Sequence, residues 1–385
     1  MIVRYESWGA WVKLERQPAL IALDREGVRA LGLDGGSVWT SPASVSTAPI
    51  EVHLAVTSRC AAGCEGCYLD ARPDGVEPAR EVIERALDGL QKAGVFTVAF
   101  GGGEPTLRDD LGALADAARA RGITPVVTTS GIGLGKKKIE NLRAFAQVNV
   151  SYDGPDEAYA DVRGFEGAHV AESAIQRLRE AGIEVGVNVV LTRSTFGRLS
   201  ETVRRAVALG AKEVQLLRYK PQGRARSLDY FAKRLTPEQS DSLGSVLRSL
   251  AAEHDDRVRI RIDCALVPFL SADPELYDTP ERLARWGIFG CEAGSNLAAT
   301  RVDGHVSPCS FAAPTSLHIE KLAGGWRDEP GFASFRRHAD APPEPCASCN
   351  IRSVCRGGCK VVTEYLDGSF GADRECPRVR KTGPS

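Results

Sequence analysis

From residue 50 the chain alternates strand-like and helical patterns six times in succession, and that alternation restricts its possible folds more than any other feature. Strand-like runs fall at Glu51–Thr57, Val95–Phe100, Thr124–Thr128, Gln147–Ser151, Glu184–Thr192 and Glu213–Arg218. Helical patterns lie between and after them, at Glu81–Lys92, Leu111–Arg121, Lys137–Phe145, Ala168–Ala181, Arg198–Leu209 and Pro237–Glu253. Gly94, Gly122, Gly182 and Gly210 stand where a glycine stop closes a helix before the next strand. Six such units predict an α/β fold, a parallel sheet with helices outside it. Similar unit lengths and no obvious order reversal favour a closed or partly closed barrel, a full or partial (β/α)6 TIM-like barrel over residues 50–255. A doubly wound open sheet is the alternative that periodicity does not separate.

The flanks differ. Residues 1–49 predict a small β-β-α element: strands at Val3–Glu15 and Ala19–Leu23, a helix over Arg25–Leu31, and a turn at Gly35 and Gly36. Trp8 and Trp11 would point to opposite faces of an unbroken strand. A bulge at Gly9 would bring them together, and apolar cover for the next domain is favoured over peptide docking. Residues 256–385 are loop-rich, with more Pro, Gly and Cys. Sequence of this kind buries little surface, so bound metal must supply much of its folding energy. The tail Arg378–Ser385 is expected to fray.

With 43% hydrophobic and 26% charged residues, the chain is long enough for a substantial core. A net charge of −1 provides no field for nucleic acid or anionic membranes. Charges at Arg4, Glu6, Lys13, Glu15 and Arg16 interrupt any signal-peptide core. No apolar run reaches the roughly 18 residues of a membrane span, so a cytoplasmic protein is expected. In a reducing compartment, clustered cysteines point to metal rather than disulfides. Of the 11 cysteines, three lie between 60 and 67 and eight between 264 and 376, which makes two metal regions.

The first region, Cys60-Ala61-Ala62-Gly63-Cys64-Glu65-Gly66-Cys67-Tyr68, follows the first barrel strand. Catalytic groups of βα barrels gather at that end of the strands. A [4Fe–4S] cube needs four ligands, and only three thiolates are local, leaving one iron open. Zinc, which takes four ligands, finds no fourth nearby. CxxxCxxC followed by an aromatic, here Tyr68, resembles the signature of the radical S-adenosylmethionine (SAM) superfamily. The resemblance implies that Cys60, Cys64 and Cys67 hold a catalytic cluster whose open iron chelates SAM. It also implies reductive cleavage of SAM to a 5′-deoxyadenosyl radical.

Phe100-Gly101-Gly102-Gly103-Glu104-Pro105 is similar to the family's GGE motif, which makes Gly102, Gly103 and Glu104 expected contacts of the SAM amino group. Val150-Ser151-Tyr152-Asp153-Gly154 resembles a further SAM-contacting segment, with Ser151 near the ribose or carboxylate. Tyr68, Thr129, Ser130 and Asn188 occupy lining positions. Arg163 is either a partner of the SAM carboxylate or an ordinary surface arginine.

In the second region, Cys291-x12-Gly304-x4-Cys309, then Cys346-x2-Cys349-x5-Cys355-x3-Cys359, then Cys376, resembles the SPASM domain of peptide-modifying radical SAM enzymes. That resemblance implies two auxiliary [4Fe–4S] clusters, one on Cys291, Cys309 and Cys359, the other on Cys346, Cys349, Cys355 and Cys376. Cys264 is either a fourth ligand of the first auxiliary cluster or a buried thiol on the strand-like run Val258–Asp263. Zinc knuckles are the alternative for the CxxC units.

Together these resemblances imply an oxidoreductase that abstracts hydrogen from a ribosomally made peptide and forms, for example, a thioether or carbon–carbon crosslink. The implied partners are an electron donor such as flavodoxin or ferredoxin and, because residues 1–49 lack the helices of a complete recognition module, a separate leader-binding protein. Modification or decarboxylation of a tetrapyrrole or haem precursor is the second reading. A non-catalytic electron-transfer or zinc-structured protein is the third. Sulfatase-maturing relatives carry an aspartate base after the "G-x4-C" cysteine. This chain has Ser310 there, which disfavours formylglycine formation unless a partner activates the hydroxyl.

Overall fold

In the computed structural model, which describes residues 1–14, 19–40 and 45–382, two sheets carry the fold. The first is antiparallel: β1 (Ile2–Glu6), β2 (Gly9–Leu14) and β3 (Ala19–Asp24), followed by the helix Arg25–Ala30. The expected β-β-α element is thus β-β-β-α. What reads as one strand from Val3 folds back at Ser7 and Trp8, because Glu6 and Gly9 face each other as hairpin partners. Trp8 and Trp11 do meet, edge to face at 5.5 Å, through this turn rather than a bulge. Glu15, where the first strand was expected to end, lies outside the described residues.

The second sheet has nine strands in the order β10-β9-β8-β7-β6-β5-β4-β11-β12. Its centre is β4 (Glu51–Thr57), β5 (Thr97–Gly102), β6 (Thr124–Thr129), β7 (Gln147–Ser151), β8 (Val185–Leu191) and β9 (Glu213–Arg218). These six are parallel, and neighbours in sequence are neighbours in space. No reversal of order occurs, so the sheet is singly wound and not doubly wound. Nor is it a closed barrel, since β10 and β12 remain as edges among the described residues.

Alternation along each strand separates two environments. Val52, Leu54 and Val56 are at most 2% exposed and face the outer helices, whereas Glu51 and His53 face a lumen. The helix Arg80–Ala93 shows how the outer layer is held: Ile83, Ala86, Leu87 and Leu90 recur at helical spacing and are buried on the sheet. Each of its fully buried leucines stabilises the fold by about 1.5–3 kcal/mol. The helix stops at Gly94, whose φ of 76° suits glycine without strain.

Residues 256–385 extend this sheet at both ends. β10 (Arg259–Ile262) runs parallel to β9. β11 (Leu297–Thr300) runs parallel to β4, and β12 (Val306–Ser307) pairs with it antiparallel. The tail is ordered to a helix at Pro377–Thr382, with the Arg378 guanidinium 3.8 Å from the Tyr277 ring, so fraying is not seen there. Residues 383–385 lie outside the described residues.

The small sheet is fastened to the N-terminal end of the strands. The buried Arg4 guanidinium donates to the carbonyls of Pro49 and Gly94, each at 2.9 Å, and Lys13 Nζ donates to that of Gly122 at 2.6 Å. It therefore sits at the end of the barrel opposite Cys60, Cys64 and Cys67.

Candidate functional site

β4 ends at Thr57, and the next ten residues carry the three cysteines, all as free thiols. The sulfurs receive backbone donors from Ala62 N to Cys60 Sγ (3.5 Å) and from Ala71 N to Cys67 Sγ (3.4 Å). The loop is clamped from beyond β9. Arg224 donates to the Cys64 carbonyl through Nε and Nη2 (3.1 and 2.8 Å), and its backbone N–H reaches the Cys67 carbonyl at 2.9 Å. Gly223, with φ +61°, lies so close that a Cβ there would overlap the Tyr68 carbonyl. Nothing in the local sequence marks Arg224, because its partner is 160 residues away.

Arg163 is not a surface arginine. Its side chain is 17% exposed and bonds at 2.6 Å to the fully buried Asp153, with Nη1 4.0 Å from Cys64 Sγ. Burial opposes its charge, but the fields of Asp153 and then Cys64 outweigh burial and raise its pKa. Asp153 spends its other oxygen on the Val190 N–H at 2.7 Å.

Gly102 and Gly103 are packed against the chain itself: a Cβ on either would overlap the backbone of Thr57 or Arg59. That close approach brings Glu104 to the same barrel end. Its carboxylate is 5% exposed. It accepts from Thr106 N and Oγ1 (3.1 and 2.7 Å), Thr129 Oγ1 (2.7 Å), and Ser130 N and Oγ (2.7 and 2.6 Å). Its charge reaches Cys60, whose thiol is pushed up first by burial and then by Glu104. Ser151 and Asn188 face each other across β7 and β8. Asn188 Nδ2 donates weakly to Thr128 Oγ1 at 3.5 Å, while its buried Oδ1 has no partner. Tyr68 stacks at a tilt on Phe311, 4.7 Å between centroids, and burial, joined by the charge of Cys67, pushes its phenol up to about 12.

The remaining eight thiols fall into two groups, each felt electrostatically by its own members. Burial pushes Cys309 up to about 12, and Cys291 and Cys359 add to the rise. Cys264 is raised by burial and then by Cys291, so the structure brings it to this group. Cys264 opens the 3-10 helix Cys264–Ala272 just past β10 instead of lying on the strand. Cys346, pushed up to about 12 by burial, feels Cys376 and Cys349; Cys355 feels Cys376 and Cys346. Cys346, Cys349, Cys355 and Cys376 line one cavity. Among the described residues no three donors converge closely enough for a single metal ion. Thiolates on the corners of a cubane stand farther apart than those around one ion.

Both groups are tied to β9. Arg218, 3% exposed, donates to Asp373 (2.6 and 3.1 Å) and Glu375 (2.6 Å), and Asp373 accepts from the Cys359 N–H at 3.4 Å. Lys220 bonds Asp263 and lies 4.5 Å from the Phe311 ring centroid.

Ser310 has the partner that its sequence neighbourhood lacks. Its Oγ is 2.6 Å from His53 Nδ1, and His53 Nε2 is 2.9 Å from Glu51 Oε1. Burial works to raise Glu51, but the hydrogen bond and charge of His53, helped by Arg261 on β10, lower it overall. For Arg261 to act on β4, the sheet must curl around the lumen.

A sequence profile described as the Radical SAM superfamily matches residues 54–206. The PqqA peptide cyclase of Ruegeria pomeroyi is 28% identical over 354 residues, covering 88% of this chain and 90% of that protein. The mycofactocin maturase MftC of Mycobacterium tuberculosis is 30% identical over 348 residues, covering 86% and 83%. Among solved structures, Streptococcus suis SuiB bound to its precursor peptide SuiA superposes with a TM-score of 0.75 at 19% identity, covering 97% of this chain and 98% of that one. Native anSMEcpe with bound AdoMet and a peptide gives 0.66 at 19% identity, covering 86% and 95%. At those identities the two structures speak for the fold.

Proposed function

The chain belongs to the radical SAM superfamily, and from that premise we propose that it is a maturase acting on a ribosomally made peptide, forming a thioether or carbon–carbon crosslink. Enzymes of the superfamily use SAM and a [4Fe–4S] cluster, which when bound supply a 5′-deoxyadenosyl radical able to take hydrogen from an unactivated carbon. The peptide reading is supported by the relatives, a peptide cyclase and a maturase matched along most of both chains.

The residues at the barrel mouth fit this cofactor pair. Three free thiols, one short of a cubane's four ligands, stand beside a buried carboxylate, and the orphaned Oδ1 of Asn188 waits for a donor from a ligand in the lumen. Cys60, Cys64 and Cys67 would hold the cluster. Glu104, with Ser130, would receive the SAM amino group, for which a hydroxyl now donating to Glu104 would turn aside. Gly102, Gly103, Ser151, Asn188 and Tyr68 would line the ligand. Arg163 holds Asp153 and faces Cys64, so its role is to position the cysteine loop more than to bind the carboxylate.

We assign Cys264, Cys291, Cys309 and Cys359 to one auxiliary cluster and Cys346, Cys349, Cys355 and Cys376 to another, on the strength of their grouping. A low-potential donor such as flavodoxin or ferredoxin would supply electrons, and a separate leader-binding protein would deliver the peptide. No helix among the described residues is long and apolar enough to cross a membrane. Eleven unpaired cysteines suit a reducing cytoplasm.

The observation that carries this reading is the meeting of three reduced cysteines and Glu104 at the C-terminal mouth of a parallel barrel. Anaerobic reconstitution should give about twelve irons per chain, three cubes of four. With reductant and a candidate precursor peptide it should give 5′-deoxyadenosine and a mass loss on the peptide. The variant with Cys60→Ala, Cys64→Ala and Cys67→Ala should lose about four irons and all SAM cleavage. Cleavage retained in that variant would overturn the assignment of the triad. About four irons in the wild type, one cube only, would overturn the auxiliary assignments.

A further inference from the structure

We infer that His53, reached through the hydroxyl of Ser310 and backed by Glu51, is the proton acceptor for the substrate in the barrel lumen. The inference rests on the peptide reading above for the identity of the substrate, but not for the geometry of the relay.

Three side chains from two distant segments form one hydrogen-bonded line. Glu51 and His53 share the inward face of β4, two residues apart, and Ser310 arrives from the loop after β12, 257 residues later. With the Glu51 carboxylate accepting at 2.9 Å, the proton of a neutral His53 sits on Nε2. Nδ1 then carries the lone pair and accepts from Ser310 Oγ at 2.6 Å. This is the connectivity by which an imidazole activates a hydroxyl and a carboxylate steadies the resulting imidazolium.

Its position suits a substrate base. Glu51 and His53 are each 40% exposed, so water or a substrate in the lumen reaches them. Ser310 follows Cys309 and precedes Phe311, whose ring lies on Tyr68 beside the cysteine loop. Ser310 thus adjoins Cys309 in the chain, and the residue after it reaches the cysteine loop through Tyr68. The groups facing His53 from neighbouring elements are few: Ala99 on β5 and Ala299 on β11 flank it in register. Among the described residues, Arg261 on β10 also acts on Glu51.

A crosslink between a C–H and an X–H group releases three things. The hydrogen atom from carbon would go to the 5′-deoxyadenosyl radical that bound SAM supplies. The X–H proton passes to Ser310 Oγ as the serine proton moves to His53 Nδ1. The remaining electron would need a one-electron acceptor, the role an oxidised iron–sulfur cluster would supply when bound.

The test separates a base from a brace. His53→Gln keeps a polar side chain of similar reach but cannot take up the proton. It should retain iron and 5′-deoxyadenosine formation while peptide modification falls by about 10²–10⁴-fold. Wild-type modification should rise with pH through the range where imidazoles titrate, about 5 to 8, and the variant should lose that limb. Ser310→Asp placed in the His53→Gln background should restore part of the rate, since a carboxylate accepts the proton directly. Unchanged rate and pH profile in His53→Gln would overturn the inference; so would a parallel loss of iron and SAM cleavage, which a bracing role predicts.

A second readout needs no peptide. With ¹⁵N-labelled histidine in the full, oxidised, reconstituted chain, the His53 signals are assigned by their absence in His53→Gln among the 6 histidines. Glu51→Gln should lower the protonation midpoint of His53, because it removes the charge that favours imidazolium. A midpoint that does not move overturns the relay. If the wild type modifies no peptide yet the midpoint moves, the peptide reading fails and the relay stands.

Discussion

Glu104 receives five hydrogen bonds from three residues, more than the roughly four lone-pair sites that a carboxylate offers. Three of its neighbours, Thr106, Thr129 and Ser130, donate hydroxyls that can rotate, so the carboxylate can exchange one of them for an ammonium without leaving its burial site. Glu104→Gln turns one acceptor oxygen into a donor that faces Ser130 or Thr106. Stability should fall by about 1–3 kcal/mol, read from urea unfolding. SAM affinity should fall by roughly tenfold or more, the loss of about one charged hydrogen bond, read by equilibrium dialysis on protein with wild-type iron content. At this scale the sequence was informative where chemistry and spacing coincide, as in the triad, Glu104 and Asn188. It was silent on Arg224 and His53, whose meaning lies in partners from remote segments. Arg163 looked ambiguous for the same reason, since only the fold reveals that Asp153 is buried beneath it.

Among the elements, the turn after β9 carries the clearest consequence. Gly223 adopts a φ of +61° and lies against the Tyr68 carbonyl, and the next residue clamps the cysteine loop. Gly223→Ala should strain the backbone by about 1–3 kcal/mol and push the turn off Tyr68. Iron at the triad should be lost selectively, by about four atoms per chain, while the auxiliary content persists. Iron analysis combined with EPR of the reduced protein checks this. The repeating strands and helices were legible because each repeats a period that burial enforces, at 2.0 in β4 and 3.6 in the helix Arg80–Ala93. The hairpin at Ser7 and Trp8 was not, because no Asn-Gly or Gly-Gly pair marks it and the flanking residues read equally well as one strand. The short strands β11 and β12 were missed because Ala298, Ala299 and Thr300 are buried without an alternating pattern.

For the whole molecule, the boundary expected at residue 255 separates two compositions more cleanly than two bodies. The later segment supplies strands to both edges of the sheet and the acidic partners of Arg218. A chain ending at residue 255 would lose the acidic partners of Arg218 together with the Phe269 ring that covers it, and would expose β4 and β9 as bare edges. It should be insoluble or unfolded when expressed alone, as judged by circular dichroism and size-exclusion chromatography; a soluble, cooperatively melting fragment would show that the barrel stands by itself. The cysteine spacing marked two cysteine regions, yet not how the later thiols are tied to the barrel, since the connection runs through buried charge on β9.

The order of the strands also has a bearing on synthesis. β4 leaves the ribosome with the triad directly behind it, but its outer neighbour arrives much later: Thr300, which receives the Ala55 amide, is 245 residues further on. Throughout that interval one flank of the nascent barrel has no strand beside it, and the cysteine loop hangs at an unfinished rim. Each later thiol group waits longer still, because one needs Cys359 and the other Cys376. A ribosome stalled before Cys359 therefore carries a chain in which only the first cysteine group is complete.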